Sequence, residues 1–74
     1  MKVSLKVNGI KRDCTHELDG EILKVHVSDL DPNPSLEVII DFETYGERIP
    51  EKVYVCIDKC YKTIEVNKTL IFKN

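Results

Sequence analysis

Four side chains in this sequence have the chemistry to hold a metal: Cys14, His16, Cys56 and Cys60. Cys14 and His16 sit two apart, so on a strand they share a face. Cys56-x-x-x-Cys60 supplies two further thiolates, and a Cys3His set is a zinc chemistry. The spacing argues against it, because structural zinc sites favour short Cys-x-x-Cys knuckles and a strand pair puts Cys56 beside Cys60 only if the turn between them has three residues. The expectation is therefore no resident metal or cofactor, with cysteines packed as small apolar groups. A zinc-stabilised β-module built on these four residues is the alternative. A Cys14/His16 nucleophilic pair fails on distance, since side chains two apart on a strand stand nearly ~7 Å from one another.

Asp29-x-Asp31-x-Asn33 opens like a calcium loop. It departs from the EF-hand pattern, with Pro34 where that loop needs glycine and Ile40 where it needs the bidentate glutamate. The carboxylates that remain are numerous and poorly discriminated. Residues 13–51 carry eleven acids against Lys24 and Arg48, whereas residues 1–12 carry four cations and no acid. Eleven acids in one block offer many general acid/base pairs and identify none, so no enzyme is expected.

The uneven charge instead points to binding. Asp29, Asp31, Glu37, Asp41, Glu43, Glu47 and Glu51 are the expected partner-binding residues, a carboxylate-rich patch for a basic protein, one that itself binds nucleic acid included. The competing expectation is that cross-strand pairing interleaves the signs into a mixed surface. Direct nucleic-acid binding is disfavoured. Lys2, Lys6 and Lys11 share one face of the first hairpin, but no aromatic residue alternates with them for base stacking.

These side chains need a frame, and the turns provide it. Asn8-Gly9 and Asp19-Gly20 are the dipeptides best suited to two-residue hairpin turns, and alternating apolar and polar residues flank both. Read as two-residue turns, they pair Val7 with Ile10, Leu5 with Arg12, Val3 with Cys14, His16 with Leu23, Cys14 with Val25 and Arg12 with Val27. Lys2, Lys6, Lys11, Asp13, Glu17, Lys24 and His26 then fall on the outer face. The prolines of Asp29-Leu30-Asp31-Pro32-Asn33-Pro34 make a loop. Leu36 to Glu43 reads as a strand, and Lys52 to Ile57, Cys60 to Val66 and Thr69 to Lys73 read as a second meander with turns at Asp58-Lys59 and Asn67-Lys68.

The expected fold is all-β: a small antiparallel β-sandwich or partly open barrel of about seven short strands, built from two meanders in a single domain spanning 1–74. At 74 residues such a domain buries a modest core, which favours a further source of stability such as association. No apolar run is long enough to span a membrane, and three cysteines, an odd number, fit a reducing cytoplasmic location. Asn67-Lys68-Thr69 matches a glycosylation triplet that a cytoplasmic chain would never present to the enzyme. The function expected is a small non-enzymatic protein-interaction module, with the size and economy of a phage or mobile-element accessory or inhibitor protein. A structural subunit of a homo-oligomer is a further alternative.

Overall fold

In the computed structural model, residues 1–43, 46–66 and 70–73 are described, the last group by backbone alone. They form eight strands: β1 Lys2–Val7, β2 Ile10–Arg12, β3 Thr15–Asp19, β4 Ile22–Val27, β5 Leu36–Asp41, β6 Lys52–Ile57, β7 Lys62–Glu65 and β8 Leu70–Lys73. Two four-stranded sheets result, ordered β2-β1-β5-β8 and β3-β4-β6-β7. The fold is an all-β sandwich and not a closed barrel. No helix long and apolar enough to cross a membrane occurs among the described residues.

Alternation explains which strands build the core. In β4, Leu23, Val25 and Val27 are buried while Ile22, Lys24 and His26 are half-exposed between them. Val53, Val55 and Ile57 repeat the pattern in β6, Leu5 and Val7 in β1, and Val38 and Ile40 in β5. One cluster joins these side chains with Val66, so the inner faces of the two sheets bury each other. The edge strands β2, β3 and β7 contribute no fully buried side chain of their own.

The first hairpin forms as its turn chemistry dictates. Asn8 and Gly9 both take positive φ, 52° and 81°, and Val7 pairs with Ile10 and Leu5 with Arg12. Asn8 also locks the turn to the distant loop end, donating its N–H to Ser35 O at 2.8 Å and accepting from Ser35 N–H on its Oδ1 at 2.9 Å.

The second hairpin is shifted by one residue. Its turn is Gly20-Glu21, with Asp19 paired to Ile22, Leu18 to Leu23 and His16 to Val25. Only Gly20 takes positive φ there (62°), which is the demand of a turn with glycine first, whereas an Asp19-Gly20 turn would need Asp19 there too. The first meander is also broken. β2 ends at Arg12, and Asp13-Cys14 carries the chain across to the other sheet, so the pairings of Cys14 with Val25 and Arg12 with Val27 do not form. Cys14 is outside the β1 ladder, although its Sγ lies 4.0 Å from Val3 O.

The largest departure is that both sheets contain a parallel pair. β4 runs parallel to β6, with Val25 opposite Val55, and β5 runs parallel to β8, with Ile40 opposite Phe72. Parallel neighbours need a long crossover. Between β4 and β6 that connection passes through β5 in the opposite sheet. Each sheet therefore draws on both halves of the chain, and the arrangement of two separate meanders is replaced by strands that alternate between layers.

The turn after β6 differs as well. Ile57 pairs with Lys62 and Cys56 with Thr63, so residues 58–61 form a four-residue connection in which Tyr61 takes φ 49°. Neither the two-residue nor the three-residue version occurs, and Cys60 lies outside the ladder. The Asn67-Lys68 turn and the Asn67-Lys68-Thr69 triplet fall outside the described residues.

Candidate functional site

His26 is the most connected polar side chain on the outside of the β3-β4-β6-β7 sheet. The alternation that sends Val25 and Val27 inward sends His26 out, between Thr15 of β3 and Cys56 of β6. Glu17, one pleat further along β3, places Oε1 3.2 Å from Nε2, and Asp58, just past β6, places Oδ1 3.3 Å from Nδ1. A neutral imidazole has one N–H, whereas the imidazolium has two and can donate to both carboxylates. The hydrogen bond that His26 donates to Glu17 is the largest influence and, with Asp58, raises the pKa of His26 above its ordinary value against a smaller desolvation penalty. The three residues clasp β3, β4 and the β6–β7 turn together.

Beside His26 is a shallow cleft of about 270 Å³, lined by Asp13, Cys14, Thr15, Ser28 and Asp58 among others. Its chemistry is acceptor-rich and poorly suited to covalent catalysis. Burial pushes the Cys14 thiol up, which keeps it protonated and a weak nucleophile. What the cleft presents is carboxylate and hydroxyl oxygen.

The four residues singled out for zinc are not brought together. Cys14 lies on the crossover, half-buried; His16 is exposed on β3, on the side that faces Val25; Cys56 stands on the outer face next to His26; Cys60 is exposed in the 58–61 connection. All three cysteines are free thiols. Among the described residues no group of three or more His, Cys, Asp or Glu side chains could hold a metal ion.

The seven expected partner-binding acids are dispersed. Asp29 accepts from the Arg12 guanidinium at 3.1 Å and lies 3.7 Å from Lys59 Nζ, while Asp31 is exposed in the loop beyond. Glu37 and Asp41 stand opposite Lys6 and Lys2 on the outside of the other sheet. Glu43 and Glu47 both reach the Met1 amino group, and Glu47 raises its pKa by hydrogen bonding. For most of the set, then, opposite signs are interleaved.

Glu51 meets a carboxyl group instead. Its N–H donates to Glu21 O at 2.8 Å, and this backbone link sets the two glutamates side by side at the turn of the β3–β4 hairpin. The hydrogen bond from the Glu21 side chain, followed by its charge, raises the pKa of Glu51. Asp19 closes the same hairpin, with Lys24 Nζ at 3.6 Å. Glu17, Asp19 and Glu21 thus join Glu51 along one hairpin, although none of the three belongs to the expected set.

Protein-family models, curated proteins and solved structures yield no match to this chain.

Nothing in the sequence singles out His26 or Asp58. His26 is legible only as an outward residue of an alternating strand, and Glu17 as its near-diagonal neighbour once the hairpin is drawn. Asp58 arrives through the parallel β4–β6 ladder, for which no local signal exists.

Proposed function

We propose that this chain is a small non-enzymatic protein-interaction module that docks a basic partner protein, with the acidic β3–β4 hairpin as its docking side. The observation that carries the reading is the Glu21–Glu51 contact. The backbone hydrogen bond from Glu51 to Glu21 sets two glutamates side by side, and the Glu21 carboxyl, by hydrogen bonding and then by charge, raises the pKa of Glu51. A lysine or arginine from a partner would favour the ionised form of both, which makes the site selective for cations. Asp19 and Glu17 lie along the same hairpin, each beside a cation of the fold, Lys24 and His26, that a partner's lysine or arginine would have to displace or share.

The other surfaces support a protein partner over a nucleic acid. Lys2 and Lys6 stand opposite Asp41 and Glu37 across the β1–β5 ladder, which interleaves acids with the cations of that face. An acidic docking side on a chain of this size suits an accessory or inhibitor protein of a phage or mobile element, acting in the cytoplasm on a basic, nucleic-acid-binding target. No reaction is assigned to it.

The test is capture from lysate on immobilised protein at low and high salt, with the Glu21→Gln/Glu51→Gln double variant in parallel. The reading expects a basic protein retained by the native chain at low salt, released at high salt and lost by the variant. Recovery of nucleic acid alone, or equal recovery by the variant, overturns it.

A further inference from the structure

An exposed strand edge is a row of unpaired N–H and C=O groups, and folded proteins blunt such edges with short strands, lysines or prolines. Three edges have described side chains. β2 is three residues long and carries Lys11 and Arg12, and β7 is four residues long and carries Lys62. β3 differs on each count: it has five residues, Thr15-His16-Glu17-Leu18-Asp19, with no lysine, arginine or proline, and all five are exposed.

Its inner side is open too. Leu18 lies opposite Leu23, which is completely buried, yet Leu18 itself is 42% exposed. The two-residue crossover at Asp13-Cys14 joins β2 to β3, the edge strands of the two sheets, and His16 and Leu18 on the inner side of β3 are both exposed. An exposed leucine on the inner side and acids on the outer side meet along one unblocked edge.

We propose that β3 receives an extended segment of the basic partner as an added fifth strand of its sheet. Alternate side chains of that segment point to opposite faces. Apolar ones cover Leu18 on the inner side, and lysines or arginines face Glu17 and Asp19 on the outer side, with Glu21 and Glu51 beyond. A second copy of this chain is the poorer occupant: antiparallel pairing of β3 with itself about its centre sets Glu17 against Glu17, a like-charge pair. The proposal rests on the basic-partner reading and adds the mode of binding.

Two eight-residue peptides of equal charge separate the two ideas: alternating Lys-Val, which can form a strand, and alternating Lys-Pro, whose prolines fix φ at about −65° and hold it in a polyproline helix that does not match the pleat of β3. The readout is backbone amide shifts and hydrogen exchange of the isotope-labelled chain. Strand addition predicts that Lys-Val protects amides within 15–19 and Lys-Pro does not, and that Leu18→Ser, which leaves charge unchanged, weakens Lys-Val binding by about tenfold. Equal binding of both peptides without protection at 15–19 overturns strand addition and leaves the basic-partner reading standing. Binding of neither overturns both. Protection at 15–19 that rises with protein concentration in the absence of peptide assigns the edge to self-association and refutes the proposal.

Discussion

Replacing His26 by glutamine should remove a pH-dependent part of the stability of this fold. The side chain is 30% exposed, so its two ion pairs with Glu17 and Asp58 are worth solvent-screened values, about 0.2–1 kcal/mol each and about 1 kcal/mol together. The sign follows from the direction of the shift. The folded pKa of His26 lies above the unfolded value near 6.5, so the contribution is complete below that value and is lost as pH rises through the folded pKa. Urea or thermal unfolding between about pH 5.5 and 8.5 measures it. A difference of about 1 kcal/mol corresponds to roughly 4–8 °C in Tm for a domain of this size. The native chain should exceed His26→Gln by that margin at the acid end and converge on it at the alkaline end. The Met1 amino group, whose pKa is raised from 8.0 by Glu47 and Glu43, titrates in both proteins and cancels in the comparison. High salt should shrink the margin. A margin that is constant with pH, or that grows as pH rises, would refute the clasp.

Glu51→Gln should move stability the other way. The carboxyl pKa is raised above 4.5, so the ionised form weakens the fold at neutral pH, and that penalty fades as pH falls through the folded value. The variant should unfold at higher urea than the native chain at pH 7 and lose this advantage near pH 4, and a lower midpoint at pH 7 would contradict the like-charge contact. Leu23→Ala, at a side chain with no exposure in the middle of the core, should cost about 2–5 kcal/mol, a large share of what holds a chain of this length. Far-ultraviolet circular dichroism during urea titration measures that loss, and a change below about 1 kcal/mol would mean that Leu23 is not in a packed interior.

The parts of the fold written in the sequence are those fixed by local chemistry. Asn8-Gly9 specifies its own hairpin because both residues tolerate positive φ, and the register of β1 and β2 follows from it. Strict alternation likewise marks Leu23, Val25 and Val27, and Val53, Val55 and Ile57, as inward residues before their neighbours are known. Sheet partnership is a different matter. Alternation tells which face of β4 is buried but says nothing of whether β3, β2 or β6 lies beside it. The short Asp13-Cys14 crossover has no proline or glycine to announce it, and the parallel pairing of β4 with β6 depends on a connection of more than twenty residues through the opposite sheet.

The same distinction separates the electrostatic features that could be anticipated from those that could not. Composition locates negative charge in residues 13–51, but charge becomes a surface only after strands are paired. Pairing sets Glu37 against Lys6 and Asp41 against Lys2, which interleaves cations with acids counted as binding residues. It also joins Glu21 to Glu51 across thirty positions, because the residue before β4 and the residue before β6 enter a parallel ladder side by side. Parallel strands start at the same end of the sheet, so whatever residues precede them are forced into proximity. In most chains that juxtaposition is neutral. Here both residues are glutamates, next to an edge strand with no lysine, arginine or proline, and the proposed docking of a basic strand on the β3–β4 hairpin rests on that juxtaposition.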